Sequence, residues 1–222
     1  MTRQVVIFGL GDFASVACVY LEQDSPYKVA AFTAHQKFIH TPHLLGKPVV
    51  PFERLEEQFP PQQYDMFVAI GFTRLNKARA DIYDLCKSRG YTLISYVNSK
   101  AVHWGKIQIG DNCFILENNV IQPFATIGND VVVWSGNHIG HHATIGDHVF
   151  ITSHAVISGR VGVGSHCFIG VNATIRDGVT IAPECVIGAG ALILKDTVAQ
   201  GVYGVHGTEA AAFKSSKLKN LQ

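Results

Sequence analysis

The chain has 222 residues, of which 47% are hydrophobic and 16% are charged. A formal net charge of +1 gives no basic field for nucleic acid, and the high apolar fraction excludes a disordered chain. Apolar stretches are interrupted by Gly, Asn or Asp, so no membrane span is predicted. Because a strand-like segment follows Met1 and the five cysteines form no C-x-x-C pair, we expect a cytoplasmic protein without an export signal.

The first hundred residues alternate strand-like and helix-like segments. Strands are predicted at 5–8, 28–33, 66–70 and 92–97, helices at 11–22, 52–58 and 75–90, and a Pro- and Gly-punctuated loop at 40–51. Such alternation is typical of a small parallel α/β domain, which we place at residues 1–97. Its Rossmann-like order puts ligands at the carboxyl ends of the strands.

A glycine-rich turn connects the first strand to the first helix. It reads Gly9-Leu10-Gly11-Asp12-Phe13-Ala14, and bare backbone amides at a helix N-terminus suit a phosphate. An NAD site also needs an acidic residue at the end of the second strand, where this chain has Thr33-Ala34-His35. We therefore expect a nucleotide or nucleotide-sugar diphosphate here, the alternative being a turn that serves only packing. The expected binding residues are Gly9, Gly11, Asp12 and Phe13, joined by Gly71, Arg74 and Asn76 after the third strand.

From residue 109 onward an aliphatic residue recurs at every sixth position. Ile or Val fills fifteen consecutive hexads, from Ile109 to Ile193. Four positions further on in each hexad the residue is small or slim, with Asn119, Asn137 and Thr197 as the polar exceptions. A period of six fits neither an α-helix nor a heptad coil, which repeat at about 3.6 and 3.5 residues.

This period predicts short strands joined by tight turns, wound into a triangular prism. Three hexads make one coil of eighteen residues, so the fold is mainly β, with about five coils over residues 98–198 and a tail at 199–222. Cys113, Cys167 and Cys185 fall in one interior column, where we interpret them as core filler.

Histidine is concentrated in the middle of the prism. Six of the eleven histidines of the chain lie within 29 residues: His138, His141, His142, His148, His154 and His166. Most fall at corner or outward positions of the hexad, where polar residues are expected in any case. A neutral imidazole with a pKa near 6.5 can act as a general base, and the densest group lies at 134–142.

Two other chemistries are disfavoured. No Ser or Cys lies on a recognisable nucleophile elbow, so a hydrolytic triad is not predicted. Zinc needs three converging ligands, whereas His142, His148 and His154 are six residues apart and fall on successive faces. No metal is expected, and a metal-binding or non-catalytic prism remains the less favoured alternative.

With these repeats, the chain resembles the hexapeptide-repeat acyltransferases, which fold as a left-handed parallel β-helix. The α/β domain with Gly9 and Gly11, followed by hexads and a short tail, is similar to bacterial nucleotide-amino-sugar N-acetyltransferases and sialic-acid O-acetyltransferases of surface-glycan synthesis. The resemblance implies acetyl-CoA as co-substrate, bound in the groove between neighbouring prisms of a homotrimer. Trp134 and Phe150 are candidates for covering the flat faces of such a prism.

The resemblance also implies a histidine of the middle coils as general base. The matching position is His141, in Ile139-Gly140-His141-His142-Ala143-Thr144-Ile145-Gly146. Amino-sugar members usually carry Glu after this histidine, and this chain has His142. The group that orients His141 is left open between Asn137, His138 and a residue of the adjacent chain. The usual ending Gly-x-Pro-Ala-Lys reads Gly204-Val205-His206-Gly207-Thr208 here.

The implied reaction is acetyl transfer from acetyl-CoA to the amino group of a nucleotide-linked deoxyamino sugar, as in lipopolysaccharide synthesis. His141 would remove a proton from the attacking amine, while the Gly159 N–H stabilises the developing oxyanion. The acetyl-CoA contacts would continue along Ala155, Gly170, Ala173, Gly188 and Lys195. O-acetylation of a sialic acid-type sugar is the alternative, and the sequence leaves open the nucleotide base, the sugar and the acylated position.

Overall fold

The computed structural model describes residues 4–205, 207 and 212. Its α/β part consists of β1 (Gln4–Phe8), α1 (Asp12–Gln23), β2 (Lys28–Ala34), β3 (His43–Leu44), β4 (Lys47–Pro51), β5 (Tyr64–Val68) and α2 (Lys77–Ser88), with 3₁₀ helices at Gln36–Phe38 and Phe52–Glu57. The sheet order is β3-β4-β2-β1-β5, and only the β3–β4 pair is antiparallel. The predicted small parallel α/β unit is confirmed. Within the described chain, no helix is both long and apolar enough to cross a bilayer.

The segment at 40–51 was expected to be a loop, and this prediction is wrong. It contains the hairpin of β3 and β4, connected by Leu45 and Gly46 with φ of +48° and +74°. Positive φ at both central residues gives a turn whose twist matches that of the flanking strands. Because the usual sequence signal for such a turn is Asn-Gly or Asp-Gly, Leu45-Gly46 does not reveal it.

A β-helix of eighteen two-residue strands follows the α/β part. The strands are β6 (Tyr96–Val97), β7 (Val102–His103), β8 (Gln108–Ile109), β9 (Phe114–Ile115), β10 (Val120–Ile121), β11 (Thr126–Ile127), β12 (Val132–Val133), β13 (His138–Ile139), β14 (Thr144–Ile145), β15 (Phe150–Ile151), β16 (Val156–Ile157), β17 (Gly162–Val163), β18 (Phe168–Ile169), β19 (Thr174–Ile175), β20 (Thr180–Ile181), β21 (Val186–Ile187), β22 (Leu192–Ile193) and β23 (Val202–Tyr203). They form three parallel sheets of seven, six and five strands, the faces of the predicted prism. Eighteen strands make six coils instead of five, because β6, β7 and β23 lie outside the aliphatic series.

The transition between the two parts differs from the single strand expected at 92–97. Leu93 forms an isolated bridge with Met66 beside β5, whereas Tyr96 and Val97 pair with β9 of the β-helix. Ser95 lies between them, and its hydroxyl donates to Gly110 O at 2.8 Å. The chain thus leaves one sheet and joins another within three residues, which the apolar character of the segment does not indicate.

The interior of the β-helix matches the sequence pattern. Its aliphatic and slim side chains form one continuous buried core. Cys113, Cys167 and Cys185 are fully buried free thiols within it. Burial raises the pKa of both Cys113 and Cys167 to about 12, so these thiols remain protonated and inert. Their role as core filler is confirmed.

The corners of the β-helix account for most of the histidines. From residue 112 to residue 190 every sixth residue adopts a left-handed backbone, with φ between +52° and +78°. These residues are Asn112, Asn118, Phe124, Asp130, Gly136, His142, His148, His154, Arg160, His166, Asn172, Gly178, Glu184 and Gly190. Asn, Asp, His and Gly tolerate this conformation best. Four of the six clustered histidines therefore adopt the left-handed corner conformation, whereas His138 and His141 have negative φ.

A buried ion pair docks α2 on the β-helix. The side chains of Arg79 and Asp130 are fully buried, and Arg79 Nε lies 3.0 Å from Asp130 Oδ2. The same carboxylate contacts His148 Nδ1 at 2.8 Å and accepts a hydrogen bond from Asn112 Nδ2 at 2.7 Å. Arg79 also donates to the carbonyl oxygens of Asp130 and His148. Since a buried charge persists only when it is paired and hydrogen-bonded, this network fixes the position of α2.

Aromatic side chains complete the same junction. Trp134 packs beside Phe13 of α1 with ring centroids 6.2 Å apart, and Phe150 packs against Phe72 at 5.3 Å. Phe150 is 3% exposed. The α/β part of the same chain thus packs on both Trp134 and Phe150, the candidates for covering the prism, so neither residue supports contact with a neighbouring prism.

Candidate active site

His141 and His142 lie at an exposed corner of the β-helix directly after β13. Their Nδ1 atoms are 3.2 Å apart and their rings are nearly perpendicular, at 84°. His142 stacks on the ring of Phe124 with centroids 4.7 Å apart. The His141 backbone is held from both sides, since its N–H donates to Gln122 Oε1 at 2.9 Å and its carbonyl accepts from the Arg160 N–H at 2.8 Å.

Gly159 provides the space in which the His141 ring lies. A Cβ added to Gly159 would lie 2.7 Å from His141 Nε2 and 2.8 Å from Asp177 Oδ1. Residues 141, 159 and 177 are eighteen apart, so they occupy the same position on three successive coils. His141, Gly159 and Asp177 therefore form one column at this corner. His141 and Gly159 were predicted as site residues, and Asp177 was not.

This geometry predicts the effect of a methyl group in the column. Replacing Gly159 with Ala should lower kcat by about 100-fold, because the new Cβ displaces the imidazole by a large fraction of an ångström. The atoms it meets are the ends of exposed side chains, so the melting temperature should change by less than about 2 °C. The matched control is Gly162→Ala, where an added Cβ meets only Thr144 Oγ1 at 3.6 Å. Steady-state kinetics of the two variants check this prediction, and equal activities would contradict it.

Of the candidates for orienting His141, two belong to this chain, Asn137 and His138, and neither forms a hydrogen bond with the His141 ring in the described residues. Asn137 is buried in the core, where its Oδ1 accepts from the Ala155 N–H at 2.7 Å and its backbone N–H donates to Asn119 Oδ1 at 2.9 Å. Asn137 thus supports the coils, and its candidacy as a catalytic residue is wrong. His138 is half-buried on β13, between β10 and β16, and its ring has no hydrogen bond to His141 in the described chain.

A cavity of about 780 Å³ opens at the carboxyl ends of β1, β2 and β5. Because β1 lies between β2 and β5, this is the switch point at which open α/β sheets bind ligands. Gly9, Gly11 and Arg74 line it, as the sequence predicts. Gly9 has φ of +138°, and an added Cβ would lie 2.6 Å from the Ala69 carbonyl oxygen, so only glycine fits there.

Further residues of this cavity follow β2 and were not predicted. They are His35, Lys37 and Phe38, opposite Asp81 of α2. Lys37 is exposed, Arg74 forms an ion pair with Asp81, and the Phe38 ring is 57% exposed. Two cations beside the uncapped first turn of α1 suit a phosphate, and the open ring suits stacking with a base. The topology rule for parallel sheets also points to the residues after β2, but their composition lacks the glycines that mark the turns after β1 and β5.

Four of the predicted substrate-binding residues do not line the cavity. Phe13 packs into the junction against Phe114. Asn76 is fully buried and donates to the carbonyl oxygens of two β-helix residues, at 3.3 and 3.0 Å. The Gly71 carbonyl accepts from the buried arginine of α2, and Asp12 is exposed at the start of α1. Phe13, Gly71 and Asn76 therefore serve the docking of the two parts, which corrects their assignment as ligand contacts.

The predicted acetyl-CoA residues divide into interior and surface positions. Ala155 and Ala173 are fully buried in the core, so they present no side chain to a ligand, and the passage of acetyl-CoA along their coils stays a prediction. Gly170 is also buried, and a Cβ there would lie 2.5 Å from the backbone of the next coil. Gly188 is half-buried and Lys195 is exposed, so both remain accessible to a ligand.

Two predictions concern other parts of the chain. Among the described residues, no group of three or more His, Cys, Asp or Glu side chains is arranged to hold a metal ion. Of the segment that replaces the usual family ending, His206 and Thr208 lie outside the described residues, as do the tail lysines 214, 217 and 219.

The repeats match two family models. Residues 106–140 and 124–159 match the bacterial transferase hexapeptide model of six repeats, and residues 160–195 match the hexapeptide repeat of succinyl-transferase. A search of curated proteins found no match.

Solved structures share the whole architecture. The acetyltransferase domain of PglB from Neisseria gonorrhoeae matches with a TM-score of 0.80 and 22% identity, covering 92% of this chain and 97% of that chain. A mutant perosamine N-acetyltransferase from Caulobacter crescentus, in complex with CoA and GDP-perosamine, matches with a TM-score of 0.79 and 26% identity over 90% of each chain. WeeI from Acinetobacter baumannii matches with a TM-score of 0.64 and 18% identity, covering 86% and 96%. The β-helix is thus of the left-handed hexapeptide type, and in its repeats and fold the chain is similar to hexapeptide-repeat acyltransferases.

Proposed function

We propose that this protein transfers an acetyl group from acetyl-CoA to the amino group of a nucleotide-linked deoxyamino sugar, in the synthesis of a surface polysaccharide. The observation that carries the proposal is the exposed His141–His142 pair, with His141 Nε2 lying beside the bare backbone of Gly159. The perosamine N-acetyltransferase, which is 26% identical, has CoA and GDP-perosamine bound in its crystal structure and supports this class of substrates.

His141 is the general base of the proposed reaction. As the amine nitrogen attacks the thioester carbonyl carbon, its proton passes to His141 Nε2 and the C–N bond forms. The C–S bond then breaks, and the proton moves from His141 to the sulfur of CoA. In the proposed reaction the Gly159 N–H donates to the oxyanion of the intermediate, a contribution of about 3 kcal/mol where it has been measured for such donors.

His142 selects the tautomer of His141. A hydrogen bond between the two Nδ1 atoms, which are 3.2 Å apart, requires that one of them carries a proton and donates it while the other accepts. When His141 donates, its Nε2 keeps the lone pair that a base requires. His142 therefore acts in its Nε2–H tautomer, held by its corner backbone, with φ of +58°, and by its stack on Phe124. A neutral imidazole thus takes the place of the carboxylate usual in the family.

Replacing His142 with Asn or with Gln tests whether it orients His141 through its Nδ1 atom or serves only the structure of the corner. The amide of Asn places an acceptor where Nδ1 lies and tolerates the left-handed backbone, whereas that of Gln reaches only the Nε2 position. We expect His142→Asn to keep kcat within about threefold and His142→Gln to lose about 10- to 100-fold, the worth of one hydrogen bond to a charged group. The KM for both substrates should not change. Single-turnover rates measure this, and a Gln variant as fast as the Asn variant would exclude the proposed role.

The nucleotide part of the substrate belongs in the cavity of the α/β part. Gly9 and Gly11 leave backbone room for the diphosphate at the start of α1, with Lys37 and Arg74 nearby as cations. Phe38 offers an exposed ring for the base.

Acetyl-CoA binding is proposed at a groove between neighbouring β-helices of a homotrimer, with Gly188 and Lys195 on its wall. One β-helix sheet supports this arrangement, because Val102, Val156 and Leu192 are 53%, 37% and 61% exposed along it. The half-buried His138 and Thr174 lie between these side chains on the same sheet, and exposed apolar residues grouped in this way are typical of a surface that another chain covers. His141 follows β13 of the same sheet, so the proposed base would lie beside this interface. The cysteine usage favours the reducing cytoplasm as the site of the reaction.

Ligand-dependent melting tests this proposal before any acceptor is known. Acetyl-CoA at 100 times its Kd should raise the melting temperature by about 5 °C or more, and one of UDP, dTDP or GDP should do so independently. Adenosine, which lacks both pantetheine and diphosphate, serves as the control. Failure of acetyl-CoA and of all three nucleotides to shift the transition would favour a non-catalytic β-helix.

A further inference from the structure

The carboxylate of Asp177 lies beside the proposed base but takes part in no interaction of the fold. Its side chain is exposed, and it forms no hydrogen bond or ion pair within the described residues. Asp111, Asp130, Asp147 and Asp196, the other β-helix aspartates, all accept hydrogen bonds from the chain. Asp177 therefore differs from them in having both oxygens open to a ligand.

The geometry at Gly159 sets an upper limit on the separation of Asp177 and His141, and within that limit one nitrogen atom can contact both side chains. His141 Nε2 and Asp177 Oδ1 lie 2.7 and 2.8 Å from one point, the position of a Cβ on Gly159, so they are no more than about 5.5 Å apart. A nitrogen that forms two hydrogen bonds of about 2.9 Å spans such a gap. A substituent beyond it faces open solvent, because both side chains are exposed.

We propose that Asp177 binds the amino group of the acceptor sugar together with His141, and so favours an amine over a hydroxyl acceptor. This inference rests on the proposed function. An alkylamine is protonated near neutral pH, and a carboxylate attracts the ammonium form in a way that it does not attract a neutral hydroxyl. Among the column residues, Asp177 supplies the negative charge, and Gly159 places no side chain between Asp177 and His141.

The proton balance is consistent with an aspartate that remains ionised. The ammonium loses one proton to solvent through His141 Nε2, and the free amine stays hydrogen-bonded to Asp177 Oδ1. The nitrogen then attacks the thioester carbon, the C–S bond breaks, and a second proton travels from nitrogen through His141 to the CoA sulfur. The products are the N-acetyl sugar, CoA and one proton in solution.

The test compares two ligands that differ in one group. The probes are the UDP-, dTDP- or GDP-linked 3- or 4-amino-deoxysugar that turns over, and the same nucleotide sugar with a hydroxyl in place of the amine. Asp177→Asn should weaken binding of the amino sugar about tenfold, because a charged hydrogen bond becomes a neutral one. Binding of the hydroxy sugar and of acetyl-CoA should not change, as measured by calorimetry. Asp84→Asn, at an exposed position of α2, is the charge-matched control.

Two outcomes would overturn the inference. Equal weakening of both sugars would assign Asp177 a structural role, and a lower kcat with unchanged amino-sugar affinity would make it a positioning residue for His141. If the wild-type protein acetylates no amino sugar, the proposed function itself fails, and that result is visible before any variant is made.

Discussion

Replacing His141 with Ala is expected to lower kcat by about 10²- to 10⁴-fold, the usual contribution of a general base. His141→Asn should lose a similar factor, because the amide cannot take a proton from the amine. The loss should fall on kcat and on kcat/KM alike, since the proton is transferred only in the transition state. Thiol titration of released CoA measures the rate for each variant.

The fold should survive both substitutions. The His141 side chain is exposed, and the interactions that hold its coil come from its backbone N–H and carbonyl. His154→Ala is a suitable control, because His154 is another exposed histidine at a corner of the β-helix, with φ of +60°. Near-normal turnover of His141→Ala would end the assignment of the base.

The second large effect is on stability. Arg79→Ala should lower the free energy of unfolding by about 3–5 kcal/mol, because it leaves the fully buried carboxylate of Asp130 without its charged partner. The hydrogen bonds from His148 and Asn112 remain but do not replace the guanidinium. Urea unfolding followed by circular dichroism gives the value directly.

Lys77 provides the comparison on the same helix. It pairs with Glu184 at 2.7 Å, but both side chains are partly exposed, at 45% and 30%. Lys77→Ala should therefore cost no more than about 1 kcal/mol. If both variants lose the same stability, the buried network does not fix α2 on the β-helix.

The β-helix could be predicted because its period is unusually strict. Each hexad from Ile109 to Ile193 repeats the same inward residue, and one repeat cannot bury that residue without the next. The series does not extend to β7, because His103 stands where it would need an aliphatic side chain. A period counted on buried residues does not detect a strand such as β7, both residues of which are exposed.

The histidine cluster shows that a concentration of one residue type does not by itself identify a catalytic site. His142, His148, His154 and His166 share a left-handed corner conformation, so their common feature is backbone geometry. The same series of corners contains Asn, Asp and Gly, which a search for imidazoles passes over. His141 stands out only through the family resemblance and, in the structure, through its place in the column with Gly159.

The candidate site depends on contacts that one sequence does not specify. Asn76 lies at the sheet edge, as expected, but it is turned into the junction, where it binds carbonyl oxygens of the β-helix. The coil period of eighteen residues was sufficient to predict Asp177, because it lies eighteen residues after Gly159 and thirty-six after His141. Recognising it requires knowing which residue of each coil faces the base.

The central claim is acetyl transfer to a nucleotide-linked amino sugar, and CoA release with defined acceptors tests it most directly. The purified protein would be given acetyl-CoA with UDP-, dTDP- and GDP-linked 3- and 4-amino-deoxysugars, with sialic acid and a reaction without acceptor alongside. The account predicts release that depends on one amino sugar, with a product heavier by one acetyl group. Release with sialic acid alone would move the reaction to O-acetylation, and no release with any acceptor would contradict the account.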